Sequence, residues 1–152
     1  MNNVQLFLAH AIELEREAAR RYEELTAAMQ TAGNRDVERF FRKMAEFSRR
    51  HLREAMVRGG FHELATLAPD EWQWPEGCSP EAVSWQGVDA LIDVAAALQA
   101  ALAGERRGFA YYKALAACSP DPEVRQMAKD FAAEEADHVD ELERWILRVT
   151  PA

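Results

Sequence analysis

The feature that most limits the fold of this chain is a pair of helical patterns that occurs twice. In the first half, apolar residues three or four positions apart predict helices over residues 3–30 and 34–58. In the second half, the same periodicity predicts helices over residues 88–117 and 121–149. The sequence shows none of the alternation that is typical of strands. Two helical hairpins in tandem therefore predict an all-α four-helix bundle.

The connections between the predicted helices indicate how the bundle is arranged. Gly33 can end the first helix and Asn34 can cap the second, while Asp121 and Pro122 fit the cap and first position of the fourth. Residues 60–87 are rich in proline and aromatic residues, which favours a connection over a long helix. A helix of about 26 residues spans roughly 39 Å, and this connection is long enough to run back along it. The second and third helices are therefore predicted to be parallel.

Length, charge and cysteine usage exclude several classes of protein. The 152 residues predict a single domain over residues 1–152, and the net charge of −8 argues against nucleic acid and anionic membranes as partners. No apolar stretch approaches the roughly 20 residues of a membrane span, and the first residues lack the features of a signal peptide. Cys78 and Cys118 do not form a metal-binding pair, so a reduced, cytoplasmic protein is expected.

Five polar residues interrupt the apolar faces of the predicted helices. Helical spacing directs them toward the core: Glu15, His51, Glu105, Glu135 and His138. A buried carboxylate without a partner costs several kcal/mol, so these residues need a cation or bound protons. A glutamate followed three residues later by a histidine, as in Glu135 and His138, is a metal-binding motif of helix bundles.

The turns of the two hairpins bring these polar residues to matching heights. Gly33 lies midway between Glu15 and His51, and the second turn lies midway between Glu105 and His138. Residues equally far from the turn of an antiparallel hairpin lie level with each other. The side chains are therefore predicted to converge at the middle of the bundle. Carboxylates and imidazoles without thiolates form a ligand set that suits iron, manganese or zinc.

These residues also resemble those of the ferritin-like superfamily, and within it the diiron domain of the rubrerythrins. Two helices carry the family's spacing of a glutamate, a small residue and a tyrosine: Glu15, Ala18, Arg21 and Tyr22 in the first, and Glu105, Gly108, Tyr111 and Tyr112 in the third. The fourth helix carries the family's Glu-x-x-His motif through Glu135 and His138. The resemblance covers essentially the whole chain and implies a four-helix bundle with one long crossover.

The resemblance also implies a chemistry and a role for each ligand. In that family the glutamates of helices one and three are mainly terminal ligands of two irons, and here those are Glu15 and Glu105. The glutamates of the two Glu-x-x-His motifs bridge the irons, and the histidines cap them. The expected reaction is that of iron with peroxide or dioxygen, using an external electron donor. A homodimer is expected, and Tyr22 and Tyr112 are expected beside the site or in the core, without a redox role.

One departure from the family pattern concerns the second helix. Ser48 stands three residues before His51, where the family has a bridging glutamate. The half-site made by Glu15 and His51 is therefore expected to bind its metal more weakly, unless water, an anion, Glu54 or Glu46 substitutes. A serine hydroxyl is neutral and too short to span two ions.

Three classes of function stay open at this point. The first is a dimetal enzyme, and Gly108 in place of a second glutamate after Glu105 weakens the specific assignment as a rubrerythrin peroxidase. This sequence has no cysteine-rich electron-transfer region, so a self-contained rubrerythrin is not expected. The second class is a metal-binding or iron-handling protein with an asymmetric or single-metal site. The third is a structural bundle or partner-binding module that has lost its function and keeps protonated carboxylates in its core.

Several other polar and aromatic residues are assigned no chemistry. His10 and His62 are expected at the surface or its boundary, because neither has a partner pattern. The remaining acidic residues of this group are interpreted as solvated: Glu13, Glu17, Glu23, Glu24 and Glu134. Three tryptophans are expected to attach the crossover to the bundle or to cover a dimer surface: Trp72, Trp74 and Trp85.

Overall fold

The computed structural model of the protein describes residues 3–60, 67–74 and 91–150. Its long helices are α1 (Val4–Ala32), α2 (Arg35–Gly59), α3 (Val94–Cys118) and α4 (Pro122–Val149). A short 3-10 turn, Pro69–Glu71, lies in the connection between α2 and α3. The predicted all-α four-helix bundle is confirmed. Within the described ranges, no helix combines the length and the apolarity needed to cross a membrane.

Short polar residues and glycine fix the turns inside each hairpin. The side chain of Asn34 accepts the backbone N–H of Val37 at the start of α2, at 3.0 Å. The side chain of Asp121 accepts the N–H groups of the first turn of α4, where Pro122 needs no hydrogen bond. Gly33 has a φ of 77° after the end of α1, a conformation that L side chains rarely adopt. These predicted caps and turns are therefore confirmed.

The third helix begins later than the sequence pattern predicted. Residues 91–93 are not helical, and the Asp93 side chain caps α3 by accepting the N–H of Ala96 at 2.8 Å. The predicted start at residue 88 was wrong, because the apolar Leu91 and Ile92 continue the helical spacing across this boundary. The side chain of Asp93 satisfies a free N–H at the helix start and thereby sets the boundary. Residues 88–90 lie outside the described residues.

Contacts between the hairpins define the directions of the helices. α1 packs along α2, and α3 packs along α4, as two antiparallel hairpins. The rings of Phe40 and Trp145 are 5.3 Å apart, and those of Phe47 and His138 are 4.5 Å apart. Residue numbers therefore rise along α2 as they fall along α4, so these two helices are antiparallel. It follows that α2 is parallel to α3, as the length of the connection predicted.

Among the described residues, the apolar core consists of two clusters, one toward each end of the bundle. One cluster contains Leu25 and Met29 of α1 with Phe41 of α2, together with the start of α3 and the last part of α4. The other contains the first half of α1, with Ala55 of α2, the last part of α3 and the first part of α4. On every helix the predicted polar residues fall between the two clusters. The fold therefore places them in one layer at mid-height.

His10 attaches the crossover to the bundle. It is completely buried, and its Nδ1 lies 2.8 Å from the carbonyl oxygen of Leu6. Its Nε2 accepts the backbone N–H of Gln73 at 2.8 Å. Trp72 and Trp74 cover the imidazole, with ring centroids 4.9 and 4.5 Å away. The predicted surface position of His10 was wrong, because the crossover returns over this part of α1.

The packing of Trp72 and Trp74 supports their predicted part in attaching the crossover. Trp74 also lies against Tyr111 of α3, with ring centroids 5.4 Å apart. The crossover therefore bridges the two hairpins through aromatic contacts on α1 and α3. The predictions for His62 and Trp85 concern residues outside the described ranges.

His10 predicts a specific dependence of stability on pH. Burial lowers the pKa of His10, so the folded protein holds the imidazole neutral. The unfolded chain has a histidine pKa of about 6.5 and binds a proton more readily as the pH falls below it. The stabilisation is therefore present above that pH and is lost toward the lower pKa of the folded state. Urea unfolding from pH 7.5 to 5 should show a steeper loss for the unmodified protein than for His10→Phe. Parallel profiles would contradict the buried, neutral imidazole.

Candidate metal centre

The polar layer takes side chains from all four helices. α1 contributes Glu15, α2 contributes His51, α3 contributes Glu105, and α4 contributes Glu135 and His138. The exposed fractions of Glu15, Glu105 and Glu135 are 5%, 2% and 7%. Charged carboxylates are almost never buried to this extent without a partner. The layer is therefore a site whose charge must be balanced.

Three of these residues form a compact group. Glu105, Glu135 and His138 each offer one ligand atom, and within the described part of the chain these atoms lie within 4.8 Å of one another. The His138 Nδ1 is 3.5 Å from the Glu105 Oε2. The Oε2 of Glu135 is buried and has no hydrogen-bond partner among the described residues. Two oxygen donors and one imidazole nitrogen, with an unsatisfied buried oxygen, fit a divalent metal ion.

Glu15 and His51 form a second, more loosely assembled pair. The His51 Nδ1 is 3.7 Å from the Glu15 Oε1. Glu15 is connected to the compact group because it lines the same small cavity as Glu135 and Tyr112. The structure thus brings the five predicted residues into one layer, with three of them closer together than the other two. Their role as ligands stays a prediction.

Ser48 is buried one helical turn before His51. Its exposed fraction is 3%. Glu54 and Glu46, the residues proposed to substitute for the missing glutamate, lie outside the buried layer. Both have exposed side chains on α2. Glu54 lines a surface depression together with His51, and Glu46 does not line it. Neither side chain is buried in the layer.

Glu134 contacts the site, although the sequence pattern indicated a solvated position. Its Oε2 lies 3.0 Å from the Nδ1 of His51, while its side chain is 42% exposed. Successive helical residues differ in direction by about 100°, so Glu135 faces the centre while Glu134 faces α2. The periodicity of α4 alone could not show this, because the contact depends on the neighbouring position of α2. The interpretation as a merely solvated residue was therefore incomplete.

Arg21 is a buried cation of the site that the sequence reasoning did not recognise. Its exposed fraction is 1%, and its Nη2 lies 3.5 Å from the Oε1 of Glu105. The same oxygen accepts the hydroxyl of Tyr22 at 2.6 Å. The available signal was the adjacency of Arg21 and Tyr22 one turn beyond Ala18, which places both near the inner face of α1. Both donors stabilise the ionised form of Glu105.

Charges in the layer separate the pKa values of two neighbouring carboxyl groups. Burial raises the pKa of Glu105, but its interactions with Glu135 and His138, with the charge of Arg21, outweigh burial and leave this pKa well below its usual range. Burial and the negative charge of Glu105 raise the pKa of Glu135 well above its usual range. Without a cation, Glu105 is therefore the charged partner and Glu135 favours its protonated form.

The two imidazoles respond to the carboxylates beside them. Burial lowers the pKa of His51, but the nearby carboxylate of Glu15 outweighs burial and the pKa is raised. The pKa of His138 is likewise raised, because the nearby carboxylate of Glu105 outweighs the effect of burial. Phe47 lies against both rings, with centroids 4.1 Å from His51 and 4.5 Å from His138. Without metal, the two imidazoles and Glu135 therefore favour their protonated forms, and metal binding would release those protons.

Comparisons with known proteins agree with this fold and this site. A family model described as Rubrerythrin matches residues 7–70, the part that contains Glu15 and His51. The chain is also similar to a solved structure of an uncharacterized conserved protein from Magnetospirillum magnetotacticum MS-1. The two are 41% identical, the match covers 99% of this chain and 97% of that one, and the TM-score is 0.79. No curated protein matches the sequence.

The two tyrosines of the layer provide a matched test of the site's hydrogen bonding. Tyr22→Phe removes the donor to Glu105 and should lower the unfolding free energy of the metal-free protein by about 1.5–3 kcal/mol, as for bonds to charged groups. The Tyr112 hydroxyl is buried without a partner among the described residues. Tyr112→Phe should therefore leave the unfolding free energy unchanged or raise it, because it removes no hydrogen bond. Urea unfolding in chelator measures both, and equal losses would contradict the distinction.

Proposed function

Because this chain belongs to the rubrerythrin family of ferritin-like proteins, we propose that it is a diiron carboxylate protein. Its proposed reaction is the oxidation of ferrous iron by peroxide or dioxygen, with electrons returned by an external donor. The observation that carries the proposal is the buried Oε2 of Glu135, which lacks a hydrogen-bond partner among the described residues. A divalent cation would satisfy this oxygen and the neighbouring carboxylates together.

The donors of the layer would divide between two ions. Glu105 and His138 would hold one ion, and Glu15 and His51 would hold the other. Glu135 would serve both, because it belongs to the compact group and also lines a cavity with Glu15. Two bound ferrous ions would supply the two electrons that reduce peroxide to water. Family membership favours iron, while oxygen and nitrogen donors also accept manganese or zinc.

The protein's own residues orient the ligands and control their protons. Tyr22 donates a hydrogen bond to Glu105 and thereby fixes one oxygen of that carboxylate. Burial raises the pKa of Tyr22 and of Tyr112 well above the usual range, so both keep their phenolic protons. Tyr22 therefore acts as a hydrogen-bond donor and a positioning residue. The expectation that neither tyrosine is a redox group stays a prediction.

A surface depression offers a route between solvent and the site. It reaches the imidazole of His51, and three carboxylates line it: Glu54, Asp130 and Glu134. Negative charge at a concave surface raises the local concentration of cations. Arg58, Phe131 and Ala55 complete the lining, so the opening also has cationic and apolar parts. Metal ions and small oxidants would approach the layer here, from the side of α2 and α4.

The second candidate function is metal binding or iron handling without turnover. The observation that favours it is the unequal assembly of the layer. The compact group joins three donors, whereas Glu15 and His51 are 3.7 Å apart and lack the carboxylate that Ser48 replaces. A site that fills with one ion could not deliver two electrons at once. The number of ions bound per chain therefore separates the two candidates.

Glu135 predicts the outcome of a metal titration. Ferrous iron added anaerobically to the chelator-treated protein should bind at two ions per chain. Glu135→Ala should abolish binding of the second ion and weaken the first by at least about 10-fold, since it removes a donor from both positions. The matched control is Glu143→Ala, because Glu143 lies on the same helix at the surface and pairs with Arg106. Its binding should equal that of the unmodified protein.

The same titration can contradict the proposal in separate ways. Full stoichiometry in Glu135→Ala would show that this residue does not serve both ions. Two bound ferrous ions that peroxide and dioxygen both fail to oxidise would reject the reaction and favour iron handling. The absence of any bound metal in the unmodified protein would reject both candidates.

A further inference from the structure

The buried layer is short of negative charge for two divalent ions. Glu15, Glu105 and Glu135 supply three carboxylates, whereas two such ions carry four positive charges. Ser48 occupies the position from which a fourth carboxylate would extend, and it is buried and neutral. An ion beside Glu15 and His51 would therefore be bound by fewer donors than its neighbour, unless another carboxylate reaches it.

Glu134 is a carboxylate within reach of that position. Its Oε2 lies 3.0 Å from the Nδ1 of His51, and the Oε1 of Glu15 lies 3.7 Å from the same nitrogen. Two donors that each lie about 2.1 Å from one ion at a right angle are about 3 Å apart. In the metal-free protein this contact is an ion pair, and its length also equals the separation of two ligands of a common ion.

We propose that Glu134 supplies, to the ion held by Glu15 and His51, the carboxylate that Ser48 does not supply. This inference rests on the proposed function as a dimetal protein. The chain would then carry two adjacent ligands on α4, with Glu135 directed to the centre and Glu134 directed to α2. The fourth carboxylate would then come from α4, which faces α2, instead of from α2 itself.

The other acidic residues near the position fit less well. Glu54 and Glu46 are exposed on α2, the helix that carries His51 itself. Glu134 instead approaches His51 from the opposite helix, and its contact crosses the boundary between the two hairpins. A ligand on α4 therefore joins the hairpins through the metal, and a ligand on α2 would not add such a connection.

The partial exposure of Glu134 has a consequence for how the ion is held. Its side chain is 42% exposed, compared with a nearly complete burial of Glu135. An exposed carboxylate keeps part of its hydration and can leave the ion at low cost. Glu134 would therefore be a terminal ligand at the surface depression, and its ion would exchange faster than the ion at Glu105 and His138.

Anaerobic titration with cobalt(II), followed by calorimetry and by the visible absorption of the bound ion, tests this assignment. Glu134→Gln keeps the size of the side chain and removes its charge. It should lower the affinity for the ion at Glu15 and His51 by about 10- to 100-fold. The affinity for the ion at Glu105 and His138 should be unchanged. Glu143→Gln removes the same charge from the surface of the same helix and should leave both ions unchanged. Thermal melting of the metal-free variants checks that each one folds.

A second substitution tests whether a carboxylate at position 48 can replace that of Glu134 as a ligand of the second ion. Ser48→Glu introduced into Glu134→Gln should restore the affinity of the second ion to within about 3-fold of the unmodified protein, because either helix can then supply the carboxylate. Loss in the single variant with recovery in the double variant supports the proposal. Equal binding by Glu134→Gln and the unmodified protein would overturn it, whether one or two ions bind. No cobalt bound by the unmodified protein would instead remove the proposed function.

Discussion

Three carboxylates share the centre of an otherwise apolar bundle, and the rest of the structure is organised around the cost of burying them. Glu15, Glu105 and Glu135 arrive from three different helices and divide the core into two apolar clusters. Three such charges in a low-dielectric interior repel one another and lose their hydration. Arg21 neutralises part of this charge, and protons on Glu135 and the imidazoles neutralise more. A metal ion would replace those protons with ligand bonds, so the fold and the proposed function follow from the same constraint.

The two halves of the site differ in physical character. At Glu105 the ligand set is closed, since Tyr22 and Arg21 hold one oxygen while His138 lies near the other. At His51 the set is open, because Ser48 contributes no charge and a surface depression reaches the imidazole. This asymmetry arises from single residues within two hairpins of the same design. It predicts unequal affinities without any difference in the overall fold.

Sequence periodicity was sufficient to predict the fold and the layer, because both depend on local signals. Caps at Asn34 and Asp121 fix the turns, and residues equidistant from a turn must meet. Features that depend on contacts between distant segments were missed. His10 is buried only because the crossover returns to α1, and Glu134 reaches His51 only because α2 faces α4. The start of α3 was misplaced because apolar spacing continues past the cap at Asp93.

The proposed metal centre in the buried layer would be shared by all four helices. Crystals of the iron-reconstituted protein, measured on both sides of the iron absorption edge, test this proposal. Anomalous peaks are expected inside the bundle, with a fully occupied ion between Glu105, Glu135 and His138 and a less occupied ion beside Glu15 and His51. Iron peaks confined to surface carboxylates, with the layer free of anomalous density, would contradict the proposed metal centre.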